Sequence, residues 1–211
     1  MPVKPDSAQT RGLLARIVDG DAHAVDELLT RWRPPMQAFV DFHLDAELRA
    51  RLDPSDVVQD AQMEVERRMD DFLKRRPMPF HLWVRKTAYQ RLLGLRRDHR
   101  QRQRRSVHRE VPLPDRSSLL LARPLLHHSS ASSPSLQAQR QEFADRVSRA
   151  VAKLANNDRT ILTMRHAEEF SYDEIGCLLE IDPAAARKRY GRALIRLQKV
   201  LQQHGLLEDR P

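Results

Sequence analysis

Two Asp-Pro pairs, Asp53-Pro54 and Asp182-Pro183, each stand at the start of a stretch that reads as helix. Aspartate is favoured just before a helix, and proline suits the first helical position because the amide hydrogen that it lacks has no helical partner there. After Pro54, apolar residues recur at about 3.6 positions, which is the period of a helix with one buried face. The repeat consists of Val57, Val58, Ala61, Val65, Met69, Phe72 and Leu73. Two such helix starts, one in each half of the chain, favour a helical protein.

The composition agrees with this interpretation. Leu, Ala, Arg, Gln and Glu are abundant and are good helix formers, whereas glycine contributes only 6 of the 211 residues. The alternation of β-branched and aromatic residues that is typical of strands is absent. We therefore expect an all-α fold. The predicted helices cover residues 9–18, a second helix from Ala24 that Pro34 and Pro35 kink or end, residues 36–52, 53–76, 80–105, and several more between 140 and 207.

The character of the chain changes in its middle. Residues 106–139 contain serine runs, interspersed prolines and paired histidines, a pattern that does not support a regular helix. We predict two small helical domains, residues 1–105 and 140–211, joined by a flexible linker over 106–139.

The pattern from Ser171 to Leu197 is typical of a helix-turn-helix. Ser171 and Glu174 have the spacing of a capping box ahead of a short helix, and a tight break at residues 181–182 leads into a longer helix without any acidic residue. Its basic side chains suit DNA, since arginine pairs with both guanine and phosphate, and the alanines at its start permit close approach to base edges. Ala193, Leu194, Ile195 and Leu197 are expected to hold it to its scaffold, with Asn156–Asp158 capping an earlier helix. The candidate DNA-binding residues are Ala184, Ala185, Arg187, Lys188, Arg189, Arg192 and Arg196. The alternative is a solvated basic helix in an ordinary bundle.

Positive charge is concentrated in a second place. The net charge is +8, and nine of the 37 basic residues lie between Arg85 and Arg105, where Asp98 is the only acid. Such a density indicates a polyanionic partner such as DNA. Trp83 and Tyr89 lie close by and are able to stack on exposed bases, although for Trp83 the core is the favoured alternative.

The acidic edge of the helix after Asp53 carries Asp56, Gln59 and Asp60 within about one turn. These side chains either favour the helix dipole or pair with a basic protein partner, and composition does not choose between the two.

Enzymatic sites are not evident. There is no glycine-rich phosphate loop, no zinc-ligand spacing and no nucleophile elbow, so we predict neither an enzyme nor a metal or cofactor site. The single cysteine, Cys177, excludes an intramolecular disulfide and fits a reducing cytosol. No apolar run reaches the ~20 residues that span a membrane. We therefore expect a cytoplasmic protein.

The chain resembles the extracytoplasmic-function (ECF) sigma factors. Residues 53–60, DPSDVVQD, are similar to the acidic stretch of sigma region two, and residues 80–84, FHLWV, to the helix that handles the −10 element. Residues 169–176, EFSYDEIG, and 187–193, RKRYGRA, resemble the scaffold and recognition helices of sigma region four. Several positions depart from the family pattern, namely Gln62, Glu66, Gln90, Gly94 and Ala184–Ala186.

The resemblance implies a sigma factor with two partners, RNA polymerase core and promoter DNA, and makes an anti-sigma factor a candidate third. Asp56, Gln59 and Asp60 would face the clamp helices of the polymerase, and the helix from Pro183 would read the −35 element. The residues implied at the −10 element are Trp83, Arg85, Lys86, Tyr89, Gln90, Arg96 and Arg97. The free protein is expected to be a monomer.

Two other functions remain open at this point. A polymerase-independent helix-turn-helix regulator would form a stable homodimer and bind a palindromic site. An interaction protein would use the basic helix on RNA or on an anionic membrane.

Overall fold

The computed structural model describes residues 5–44, 46–103 and 134–206, except for the side chains of 46, 100, 102, 103, 134–141 and 144. All regular secondary structure in these ranges is helical, which confirms the all-α prediction. The contacts divide the chain into two compact units, one containing most of residues 5–103 and the other most of residues 134–206. The helices are α1 (Ala8–Val18), α2 (His23–His43), α3 (Ala46–Arg49), α4 (Pro54–Arg67), α5 (Met69–Arg75), α6 (Phe80–Gln103), α7 (Pro134–Ala152), α8 (Asn156–His166), α9 (Tyr172–Leu179) and α10 (Pro183–Gln203).

The core of the first unit lies where α2, α4 and α6 pack against one another, with α1 against α2. Each of these helices turns an apolar stripe inward, so that its buried side chains come from one face. The largest fully buried side chains are Leu28, Met36, Phe39, Leu44, Phe80, Leu82 and Leu92.

Helix α2 runs through Pro34 and Pro35, where the sequence predicted a kink or an end. The carbonyls that the two prolines leave without a helical partner belong to Thr30 and Arg31, which are both exposed, so water is able to satisfy them. The helix ends at His43 because Leu44 adopts an extended conformation and is buried. The prediction of a helix over residues 36–52 was therefore wrong beyond His43, apart from the single turn of α3.

The predicted helix over residues 53–76 is two helices. Asp53 accepts a hydrogen bond from the backbone of Ser55 at 2.8 Å, which confirms the predicted start. The break falls at Arg68, where φ is −103° and ψ 10°, and it brings both Met69 and Phe72 into the core. No glycine or proline marks this break in the sequence.

The start of α6 is capped from the other end of the unit. The Asp6 carboxylate accepts hydrogen bonds from the backbone amides of Phe80 at 2.6 Å and His81 at 2.9 Å, and lies 2.9 Å from His81 Nδ1. Burial alone would raise the pKa of Asp6, but these hydrogen bonds outweigh it and lower the pKa. The Asp6 side chain therefore caps a helix that begins 74 residues later in the sequence.

In the second unit, α10 packs on α8 and α7. Helix α7 begins at Pro134, so the prediction of an irregular linker was wrong for residues 134–139. Proline is favoured at the first helical position, and the Leu, Gln and Ala that follow are good helix formers. The rest of the predicted linker, residues 106–133, lies outside the described residues. None of the described helices is long and apolar enough to cross a membrane.

Candidate nucleic-acid interface

The helix-turn-helix is built from reciprocal hydrogen bonds at its first helix. The Glu174 carboxylate accepts from the Ser171 amide at 2.8 Å, and the Ser171 hydroxyl oxygen accepts from the Glu174 amide at 3.2 Å. Both residues are buried. This is the predicted capping box, and it fixes where α9 begins.

The turn between α9 and α10 depends on a close backbone approach at Gly176. The Gly176 carbonyl accepts from the Ile181 amide at 3.1 Å, and a Cβ on Gly176 would lie 2.7 Å from the Ile181 carbonyl oxygen. Only glycine fits there without a shift of the backbone. Asp182 then caps α10 by accepting from the Ala185 amide at 2.8 Å, as predicted.

Helix α10 presents one face to its own unit and another to solvent. Ala186, Ala193 and Leu201 are buried at intervals of about two turns, whereas Arg187, Lys188 and Arg192 are exposed. Ala184 is exposed, and Ala185 and Arg189 are partly exposed, so these predicted contacts remain accessible.

Two expectations about this helix were wrong. Leu194 and Ile195 do not hold α10 to its scaffold, because they are 36% and 57% exposed. Ala186 does not approach bases, since it is fully buried. The small side chain at this position lets α10 pack closely within its unit instead.

Arg196, which was predicted to bind DNA, has an internal partner. Its Nη1 donates to both carboxylate oxygens of Asp158, at 2.8 and 2.9 Å, and the Asp158 side chain is only 6% exposed. Asp158 is therefore not the predicted cap, and the residue that precedes α8, Ala155, makes no side-chain capping bond. The ion pair ties α10 to α8, because a buried carboxylate requires a charged or hydrogen-bonding partner.

A cluster of aromatic and basic side chains joins α8, α9 and α10. The guanidinium of Arg187 lies 5.1 Å from the ring centroid of Tyr172, and that of Arg165 lies 5.2 Å from it. The ring of Tyr190 meets that of Tyr172 edge-on at 5.9 Å. No local sequence pattern indicates Arg165, because its partner ring comes near it only in the folded unit.

Tyr190 also contacts His166 on α8. Burial and the charge of Arg165 lower the pKa of His166, whereas burial and the proximity of Tyr172 raise the pKa of Tyr190 against the opposing effect of Arg165. A neutral imidazole is thus able to accept a hydrogen bond from the Tyr190 hydroxyl, whose oxygen lies 2.8 Å from His166 Nε2. This contact holds Tyr190 in place beside Tyr172.

On α6, the most conspicuous predicted DNA contacts lie in the core. Trp83 is 5% exposed and stacks on Phe72 with ring centroids 4.4 Å apart, and Tyr89 is 4% exposed. Arg96 is also buried, and its guanidinium donates to the His43 carbonyl. The rings of Trp83 and Tyr89 are therefore not available to stack on bases in this structure. For Trp83, the alternative of a core residue is the one that the structure shows.

The other candidates on α6 differ in accessibility. Arg85 is partly buried, with its guanidinium 5.5 Å from the ring centroid of Trp32 and 3.1 Å from the His81 carbonyl. Lys86 is partly buried, whereas Gln90 and Arg97 are exposed. Arg104 and Arg105 lie outside the described residues.

The acidic edge of α4 is only partly free. Asp56 and Gln59 are exposed, but Asp60 accepts from Arg91 of α6, with an Nε to Oδ2 distance of 3.0 Å. Gln62 turns towards α2, where its Nε2 donates to the Leu29 carbonyl at 2.8 Å. All three predicted polymerase contacts are thus at least partly accessible, but Asp60 is already paired with Arg91.

Comparison with known families and structures gives two findings. Residues 144–197 match the family model of sigma-70, region 4, a range that includes α9, the turn and α10 as far as Leu197. No curated protein is similar enough in sequence to count as a match.

Two solved structures share the fold along most of the chain. The sigma factor RpoE of Bartonella quintana, in complex with the anti-sigma factor NepR, is 19% identical, with 88% of this chain and 98% of that chain covered and a TM-score of 0.57. CnrH in complex with the cytosolic domain of CnrY is 21% identical, with 93% and 99% covered and a TM-score of 0.57. The comparisons thus show a sigma-70 region 4 match over residues 144–197 and a fold shared with these two structures.

Proposed function

We propose that this protein is a sigma factor that binds RNA polymerase core and directs promoter-specific transcription initiation. The observation that carries this proposal is the helix-turn-helix within residues 144–197, whose second helix exposes Arg187, Lys188 and Arg192. A helix of this kind enters the major groove with its N-terminal residues at the base edges. We therefore assign the first half of α10 to the −35 element.

The first unit would supply the contacts to polymerase and to the −10 element. Because Trp83 and Tyr89 are buried, the accessible contacts on α6 are Gln90 and Arg97. No covalent chemistry is required, because contacts to an unstacked strand and to polymerase offset the cost of separating the bases. On this proposal the protein is not an enzyme and acts in the cytoplasm.

An anti-sigma factor is a candidate regulator of this chain. The RpoE structure was solved with its anti-sigma factor NepR, and this chain shares that fold. NepR itself is not assigned to this chain as a partner.

The experiment that tests the proposal is capture of bacterial RNA polymerase core on immobilised protein, comparing wild type with Asp56→Arg. Asp56 is exposed on α4, so reversal of its charge changes the surface and not the core. Asp60 is a poorer choice, because an arginine there would face Arg91 and disturb the packing of α4 on α6. Asp70→Arg, on the exposed side of α5, is the charge-matched control.

We expect wild type and Asp70→Arg to retain core and Asp56→Arg to lose at least tenfold in affinity, which corresponds to about 1.4 kcal/mol. Failure of the wild type to retain core, together with tight binding to one palindromic duplex and a homodimer by light scattering, would instead identify a polymerase-independent regulator. A monomer that binds duplex weakly alone agrees with the proposal, since the two units gain effective concentration only on polymerase.

A further inference from the structure

We propose that Asp6 is a positioning residue for promoter opening, because it holds the first turn of α6 in place from outside that helix. The inference rests on the proposed function and deepens it, since the proposed function assigns contacts with the −10 element to α6. It separates two steps that the first unit would carry out. Binding to polymerase core would use α4, whereas opening of the DNA would depend on the anchored position of α6.

The first turn of α6 is not capped by the residues that precede it. Residues 77–79 are two prolines and a methionine, and none of them has a side chain that is a strong hydrogen-bond acceptor. The first amides of a helix have no partner within the helix. The amides of Phe80 and His81 are bonded instead to the Asp6 carboxylate, at 2.6 and 2.9 Å. Asp6 therefore supplies an acceptor that the preceding residues lack.

The same carboxylate also fixes an aromatic side chain of this turn. His81 Nδ1 lies 2.9 Å from the Asp6 carboxylate, and the two side chains are only 13% and 10% exposed. The His81 ring stacks on Trp32 of α2, with ring centroids 6.5 Å apart. The guanidinium of Arg85 lies over the same Trp32 ring and donates to the His81 carbonyl at 3.1 Å. The first turn of α6 is thus tied through His81 to the N-terminal segment and to α2.

A second anchor holds α6 further along its length. Arg96 is buried and donates to the His43 carbonyl at the end of α2. With a rise of about 1.5 Å per residue, the two anchors lie about 24 Å apart along the helix. Gln90, an exposed residue that the proposed function assigns to the −10 element, lies between them. Loss of Asp6 would therefore loosen one end of the segment that presents Gln90.

An ordered first turn favours DNA opening through preorganisation. Unstacking a base costs a few kcal/mol, and contacts with the separated strand must offset that cost. If the first turn of α6 had to become ordered at the same time, less net binding energy would remain. The hydrogen bonds of the Asp6 carboxylate go to α6, whereas the proposed contact with core is Asp56 on α4. The affinity for core should therefore not depend on Asp6.

The test uses holoenzyme reconstituted from core and the full chain, at a temperature where circular dichroism shows every variant to be folded. The fraction of promoter in competitor-resistant complexes is measured on duplex DNA and on the same promoter with a mismatched bubble over the −10 element. Core affinity is measured separately by capture. The variants are Asp6→Ala and Asp6→Asn, which keeps one acceptor oxygen. Ser7→Ala is the control, because it removes the cap of α1 only.

We expect Asp6→Ala to bind core within about twofold of wild type but to lower the equilibrium constant for opening duplex promoter about fivefold, the equivalent of about 1 kcal/mol. On the bubble template it should match wild type, because no unstacking has to be offset there. Asp6→Asn should show the same pattern with a smaller defect. Ser7→Ala should match wild type on both templates, although it also loses a cap.

A positioning role is excluded if Asp6→Ala opens duplex promoter like wild type. It is also excluded if the defect is equal on both templates, because that indicates a loss of folded or core-bound protein. An equal defect in Ser7→Ala would show that any lost cap in this unit is enough. Should Asp6→Ala not fold, Asp6→Asn decides between these outcomes. Failure of the wild type to bind core would contradict the proposed function itself, and it is seen before any variant is compared.

Discussion

Helices α6 and α10 are both rich in arginine, yet they use their conspicuous side chains in opposite ways. On α6, Trp83, Tyr89 and Arg96 are buried among the helices of the first unit. On α10, Arg187, Lys188 and Arg192 are exposed, and the helix buries mainly small or apolar residues. The difference arises because α6 packs on both α2 and α4, whereas α10 lies with one face on α8 and α7. A basic, aromatic sequence therefore indicates a polyanion without indicating which side chains can reach it.

The largest expected effect tests the buried side of this comparison. Trp83→Ala removes a ring stacked on Phe72 and should lower the free energy of unfolding by about 3–5 kcal/mol in urea denaturation. Gln90→Ala, on the exposed side of the same helix, should leave stability within about 0.5 kcal/mol. If Trp83→Ala kept wild-type stability but failed to open promoters, the ring would be a DNA contact after all.

The next prediction concerns Arg196 of α10, whose side chain pairs with a buried carboxylate of its own unit. Arg196→Met leaves the Asp158 carboxylate buried without its charged partner and should cost about 2 kcal/mol of stability by thermal unfolding. Arg192→Ala is the matched variant, since Arg192 is exposed, and it should weaken DNA binding with little effect on stability. The reverse pattern would place Arg196 at the DNA.

The turn that carries α10 gives a third comparison, between two glycines. Gly176→Ala places a Cβ 2.7 Å from a backbone oxygen and should destabilise the protein by about 1–3 kcal/mol. Gly191→Ala, in the middle of α10 with nothing within 4 Å of its Cβ, should stabilise it by about 0.5–1 kcal/mol. Equal melting temperatures for the two variants would show that the turn does not need the close approach.

The smallest effect concerns the start of α6. Asp6→Ala removes its cap and should lower the free energy of unfolding by about 1 kcal/mol at neutral pH. Because folding lowers the pKa of Asp6, its contribution is present above the ordinary value of 3.8 and is lost as the pH falls through the lower folded value. The difference from wild type should therefore shrink in acid.

Ser7→Ala is the control for that prediction, since the Ser7 hydroxyl oxygen accepts from the Thr10 amide at 3.2 Å and caps α1 only. Its cost should not depend on pH in the same range. A pH-independent difference for Asp6→Ala would mean that the carboxylate charge does not matter at the start of α6.

What the sequence predicted and what it missed follow from the separation of the interacting residues. The caps at Asp53, Asp182 and the Ser171–Glu174 box were predicted, because each involves residues two or three apart. The Arg196–Asp158 pair and the Asp6 cap join residues 38 and 74 positions apart, and no local pattern specifies them.

The candidate site shows the same limit. The exposed basic residues in the first half of α10 followed from the helix start and its period, but the environment of Trp83 depended on how α6 packs. Arg165 was missed because it lies on α8 and meets Tyr172 only in the folded unit. The density of basic residues indicated which helices are candidates for binding DNA. Only the packing of those helices shows which of their side chains are exposed and which are buried.

The measurement that tests the central claim most directly is run-off transcription from genomic fragments with RNA polymerase core, with and without this protein. The account predicts new and discrete start sites that appear only with the protein and are lost with Asp56→Arg but kept with Asp70→Arg. Unchanged start sites with the protein present, while it still binds DNA, would contradict the sigma-factor function.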